Sequence, residues 1–172
     1  MKKQFKYIII FLTAFAVRLI PFRAPNIEPV MASLMPLSKK FTKFGSFFFG
    51  FASIFVYDLV TSGIGVWTVF TAIAYGLLGL GASYYFSNKS GWKSYASYAV
   101  IGTIAYDLVT GLTVGPIFFG QSFMVSLIGQ IPFTVMHLIG NVSFAIVLSP
   151  VIEKWLAKES KKMEVLDGVL VS

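Results

Sequence analysis

Few residues of this chain are placed to do chemistry in an apolar setting, and two aspartates and one histidine stand out. The aspartates sit in a repeated string, YDLVT, at Tyr57–Thr61 and again at Tyr106–Thr110. The histidine, His137, belongs to a line of polar residues, Ser126, Gln130, Thr134, His137 and Asn141, spaced four, four, three and four apart. At about 100° per residue, that spacing puts all five on one narrow stripe of a helix. A lone histidine with no second histidine, cysteine or paired carboxylate at ligand spacing is a poor metal site. The chain has no GxxxxGK[ST], no G-x-S-x-G and no HExxH. P-loop ATP binding, serine-hydrolase chemistry and zinc-protease chemistry therefore lack their residues. No catalytic residue, cofactor or metal is expected.

These groups must be positioned by elements that suit the composition. The chain has 172 residues, of which 56% are hydrophobic and 12% charged, and its mean hydropathy is +0.79. A soluble domain of this size keeps too much surface wet to hide so much apolar area. An integral membrane protein is the remaining class. The net charge of +7 does not point to nucleic acid, because the lysines stand in short clusters between apolar runs, as charges that orient a membrane protein do. There is no cysteine, so neither disulfides nor thiolate metal sites can form. The opening "MKKQFKYIIIFLTAFAVRLIPF" has a basic start and an apolar run but no small-x-small cleavage site, and it is read as a retained first helix.

A bilayer core takes about 20 apolar residues per helix. Clear candidates are 7–23, 44–62, 64–86, 95–113 and 119–150, the last long enough to kink at Pro132 or to begin with a surface loop. "NIEPVMASLMPLSKK" is ambiguous, being short and carrying Pro29 and Pro36. Charge parity resolves it. If it spans, all twelve lysines fall on one side; if it does not, three fall on one side and nine on the other. The positive-inside rule favours the first. The expected architecture is an all-α, integral membrane bundle of six transmembrane helices over 1–157, both termini cytoplasmic, with 158–172 a poorly ordered cytoplasmic tail.

In that topology each YDLVT string ends an outward-running helix and is followed by a Gly-rich turn and a returning helix, which reads as one parallel hairpin repeat. Each aspartate either accepts hydrogen bonds from the turn after it or faces a solute site open to the outside, with the neighbouring tyrosine lending a ring or hydroxyl. The stripe on the last helix is either interhelical glue at about 0.6 kcal/mol per contact or the wall of a binding site; for the deeper His137 and Asn141 glue is favoured. The two copies should differ. A short connection makes the fifth and last helices antiparallel neighbours, so Asp107 should face Gln130 and Thr134, with Thr103 and Tyr106 close by. Asp58 has only Trp67, Thr68 and Thr71 opposite it. Arg18, Arg23, Asn26 and Glu28 cluster around a proline-rich connection, "RLIPFRAPNIEP", that suits a lid over a cavity. Arg18 must snorkel or find a carboxylate, Glu28 or Asp58. The candidate binding set is Arg18, Asn26, Glu28, Trp67, Tyr106, Asp107, Ser126, Gln130, Thr134 and His137. Small residues four apart, Ser46 with Gly50 and Ala72 with Gly76, allow close helix packing.

The stretches "RLIPFRAPNIEPVMASLMPL", "YDLVTSG" and "HLIGNVSFAIVLSPVIEKWL", within six expected helices of a small chain, resemble the substrate-binding S component of an energy-coupling factor (ECF) transporter. The resemblance covers roughly residues 7–157. It implies capture of a vitamin-like small-molecule solute from outside, no enzymatic activity of the chain's own, and two kinds of partner: an ECF transmembrane scaffold subunit and two cytoplasmic ATPase subunits, beside membrane lipid. The other class in view is a membrane-embedded enzyme or an envelope assembly protein without a solute pocket. The two YD pairs are not the catalytic pair of an intramembrane aspartyl protease, because neither aspartate lies in a G-x-G-D context.

Overall fold

The computed structural model describes residues 3–21 and 29–170, with side chains described as far as Lys158. Every regular element among them is helical: α1 (Lys3–Arg18), α2 (Val30–Ser38), α3 (Lys43–Val60), α4 (Val66–Tyr85), α5 (Trp92–Gly111), α6 (Val114–Phe119) and α7 (Phe123–Leu170). Four helical segments are long and apolar enough to cross a membrane: Lys43–Val60, Val66–Tyr85, Trp92–Phe119 and Phe123–Lys158. Their outer faces expose large apolar side chains such as Phe44, Ile101, Ile128 and Val147, a surface that lipid solvates better than water. The chain is thus a multi-pass membrane protein by the length and composition of its helices.

The two remaining long-range elements are shorter than expected. α1 stops at Arg18 rather than running to residue 23. Pro21 accounts for this: it lacks an N–H, and its ring disfavours helical geometry at Ile20. The segment expected to be a sixth span holds α2, nine residues long. At 1.5 Å per residue that is about 14 Å, under half of a hydrocarbon core. All nine residues of α2 are buried, because α2 is packed against α1, α3, α4, α5 and α7. It is the centre of the bundle. The helical backbone of α7 runs on to Leu170, into the segment expected as the tail.

Pro36 lies inside α2 and has no N–H to offer the Ala32 carbonyl four residues earlier. That carbonyl is buried, so it needs another donor. Ser149 of α7 supplies it: Ser149 Oγ donates to Ala32 O at 2.8 Å, with Ser149 fully buried. The proline that shortens the helix thereby also ties it to α7.

The most intimate helix pair is α3 with α4. A Cβ on Gly50 would run into the Tyr75 carbonyl oxygen, and one on Gly79 into the Ser46 carbonyl oxygen. The backbones approach this closely because Ser46, Gly50, Ala72, Gly76 and Gly79 are small, as the spacing of the first four predicts.

The described lysines gather at one end of the bundle. Lys6 donates to the Trp155 carbonyl at 2.8 Å and Lys39 pairs with Glu153. Lys43 lies over the Tyr84 ring and Lys89 over the Tyr85 ring, each at 4.1 Å. Arg18 and the two YDLVT strings lie toward the other end, where α3 and α5 finish.

Candidate functional site

The polar stripe of α7 faces α5. The two helices run antiparallel, and their register can be read from four positions. Asn141 Nδ2 donates to Thr103 Oγ1 at 2.8 Å, and His137 Nδ1 lies 2.8 Å from Asp107 Oδ1. Further out, the Gln130 side chain lies against Gly111, where a Cβ would displace it, and Ser126 lies beside Gly115 of α6. The line of contacts continues α5 into the short α6, which follows it after two residues.

The sequence places Gln130 and Thr134 opposite Asp107; in the structure His137 takes that place. The reason is glycine. Gly111, one turn beyond Asp107, leaves a notch that the Gln130 side chain fills. Gln130 Nε2 then donates to Thr134 Oγ1 at 3.1 Å on its own helix. Asp107 is left to His137, the next stripe residue inward.

Asp107 is fully buried and His137 is 4% exposed. A carboxylate removed from water needs compensating partners, yet Asp107 Oδ2 has none among the described residues, and neither does the buried Asn141 Oδ1. Aromatic rings enclose the pair. Tyr106 meets His137 edge-on at 6.0 Å and Tyr75 at 5.2 Å, and Phe133 meets His137 at 5.8 Å. The result is a buried polar core of Thr103, Asp107, His137 and Asn141 with two acceptor oxygens that a donor-bearing molecule, water included, would satisfy. Thr103 Oγ1 also lies 3.9 Å from Met31 Sδ, linking this core to α2.

The other copy of the string is built differently. Asp58 is half-buried, and Thr68 Oγ1 of α4 donates to its Oδ2 at 2.7 Å. Thr68 Oγ1 in turn accepts the Gly65 N–H at 3.2 Å. The donor to Asp58 is therefore a side-chain hydroxyl of α4 and not, as expected, a backbone N–H of the turn; the turn's Gly65 N–H bonds to that hydroxyl instead. Tyr57 serves Arg18: the guanidinium lies over the Tyr57 ring at 3.9 Å and donates to the Ser53 carbonyl at 3.0 Å. One copy therefore anchors α1 and the α3–α4 turn, while the other carries the buried carboxyl group.

Of the candidate set, the structure brings together Tyr106, Asp107 and His137. Gln130 and Thr134 lie on the same face one to two turns further out, half-buried. Ser126 donates to Gln121 Oε1 at 3.1 Å near α6. Trp67 stands apart, its ring 6.2 Å from Phe119, and Arg18 is engaged at α3. Asn26 and Glu28, with Arg23, lie outside the described residues. Tyr75 and Ser149 were not legible as functional positions. Nothing in the sequence marks Tyr75, whereas Ser149 has a signal in the carbonyl that Pro36 leaves without its helical donor. Among the described residues no three histidines, aspartates or glutamates form a group that could hold a metal ion.

Comparison with known proteins returns no matching protein family, no matching curated protein and no matching solved structure.

Proposed function

We propose that the chain is the substrate-capture subunit of a micronutrient uptake transporter, similar to an ECF S component. It binds a vitamin-like solute from the extracellular side and relies on a separate transmembrane scaffold and two ATPases for energy. In this reading α1 crosses the membrane and the segment that holds the short α2 returns the chain through the centre of the bundle, giving six passages of the cell membrane with both termini cytoplasmic. The lysine-rich end is then the inner one. The observation that carries the reading is Asp107 Oδ2, a buried carboxylate oxygen without a partner among the described residues, on the half of α5 that points away from the lysines. Intramembrane carboxylates are costly and mark sites of recognition. The half-buried Gln130 and Thr134 continue that polar line outward, as the wall of an entry path would.

The test is mass spectrometry of small molecules retained by the purified chain. A solute-capture subunit carries one small organic molecule at close to equimolar amount. An assembly protein of the envelope carries none, and the tight Asp107–His137 pairing then serves stability alone.

A further inference from the structure

The polar core between α5 and α7 is a ladder of two rungs, Asn141 with Thr103 and His137 with Asp107. Residues four apart on a helix stand about 5–6 Å from one another, so the rungs lie one turn apart. Each rung leaves one oxygen over. Asp107 Oδ2 and Asn141 Oδ1 have no hydrogen-bond partner among the described residues, and both residues are fully buried.

Both leftover oxygens call for a donor. At the inner rung, Thr103 Oγ1 lies 3.9 Å from Met31 Sδ, which can only accept, so the hydroxyl proton goes to the sulfur and the hydroxyl oxygen accepts from Asn141 Nδ2. Asn141 is thereby left with its carbonyl oxygen. At the outer rung, the charge partner of Asp107 among the described residues is His137, on Oδ1, and a buried carboxylate with its other oxygen bare lacks compensation. An anion would be repelled here. A quaternary ammonium would bring charge but no N–H for Asn141. A planar amidinium or guanidinium brings both, a delocalised positive charge for Asp107 and N–H groups on two nitrogens, one for each oxygen. Tyr106 and Phe133, whose rings meet His137 at 6.0 and 5.8 Å, border the place, and aromatic rings attract planar cations.

Gln130 covers the way in. Its side chain fills the notch at Gly111, one turn outward of Asp107, while its hydrogen bond runs along its own helix to Thr134 Oγ1. It can swing aside without breaking a hydrogen bond between α5 and α7.

We infer that the solute enters this site through a planar cationic head group with at least two N–H donors, an amidinium, a guanidinium or a protonated amino-heterocycle, bonded to Asp107 Oδ2 and Asn141 Oδ1. The inference rests on the solute-capture reading and names the chemistry of what is captured.

The test has two arms. Mass spectrometry identifies the small molecule retained by the purified full chain. Saturation-transfer NMR in detergent reads the binding of three probes of similar size: benzamidine, benzoate and phenyltrimethylammonium. Benzamidine should bind, and the other two should give no more signal than partition into the micelle. Asp107→Asn, nearly isosteric, should weaken benzamidine about tenfold or more, as loss of a charged hydrogen-bond partner does. Asn141→Leu should weaken it too, and Asp58→Asn should leave it unchanged. A retained compound that is anionic or lacks two N–H donors overturns the head-group assignment and leaves solute capture standing. Benzamidine binding without any retained compound supports the donor and charge requirement and contradicts solute capture. Equal binding of benzamidine and phenyltrimethylammonium overturns the N–H requirement, and benzamidine binding undiminished by Asp107→Asn places the probe elsewhere and overturns the site. No benzamidine binding overturns the assignment outright, with water serving the two oxygens. If either core variant does not fold, the comparison of probes on the unchanged chain still decides.

Discussion

His137 Nδ1 and Asp107 Oδ1 lie 2.8 Å apart between α5 and α7, both side chains buried. Removing one member of such a pair leaves the other without compensation in a low dielectric, which costs about 3–5 kcal/mol. Replacing both by apolar residues of similar volume costs far less. His137→Leu should therefore destabilise the bundle strongly, and His137→Leu with Asp107→Leu should recover much of the loss. A double-mutant cycle on thermal unfolding in detergent measures this. Simple additivity of the two single losses would show that the pair is not coupled.

The Ala32 carbonyl gives a prediction in which a second change rescues the first. Ser149→Ala strands a buried acceptor that receives its hydrogen bond from Ser149, at a cost of about 1–3 kcal/mol. Pro36→Ala restores an N–H four residues after Ala32 and should offset part of that loss in the double variant. Unfolding temperatures of the two single variants and the double variant check it; a double variant worse than Ser149→Ala alone contradicts the pairing.

Glycine positions should separate cleanly. Gly50→Ala and Gly79→Ala drive a methyl group into carbonyl oxygens of the facing helix, and should lower the melting temperature by prising α3 from α4. Gly129 of α7 has nothing near its missing Cβ, so Gly129→Ala should gain about 0.5–1 kcal/mol from helix propensity. Melting curves of the three variants decide the matter, and equal effects at all three would mean that the close α3–α4 approach is not real.

These contrasts also mark what could be read from the chain alone. The α5–α7 polar line was legible, because residues spaced four, four, three and four apart can only share a face and a buried carboxylate draws polar partners. The choice of His137 over Gln130 for Asp107 was not, since it depends on where Gly111 leaves room. The close α3–α4 packing was legible in Ser46, Gly50, Ala72 and Gly76. The depth of α2 was not. By length alone the segment reads as a re-entrant piece and by lysine parity as a span, and only contact with five other helices makes it the core. The Arg18–Tyr57 stacking likewise joins residues far apart in sequence with no periodicity to announce it.

The proposed orientation has its own test in a chain without native cysteine. Ser122 and Ser90 are both exposed and lie at opposite ends of the bundle. Ser122→Cys should react with an impermeant thiol reagent in intact cells, and Ser90→Cys only after permeabilisation. The reverse pattern would invert the bundle in the membrane.

The central claim is that the outer half of the α5–α7 interface captures a solute through Asp107. The most direct measurement is the amount of small molecule retained per chain by the unchanged protein, by Asp107→Asn and by Asp58→Asn, read by mass spectrometry after identical purification. The account predicts one retained compound on the unchanged protein. Asp107→Asn should weaken its binding by about 1–3 kcal/mol, the range for a lost partner in a buried polar contact, whereas Asp58→Asn should keep the compound and lose thermal stability. Retention by Asp107→Asn together with loss in Asp58→Asn would assign the two copies of YDLVT the other way round, and no retained compound on any of the three would contradict solute capture itself.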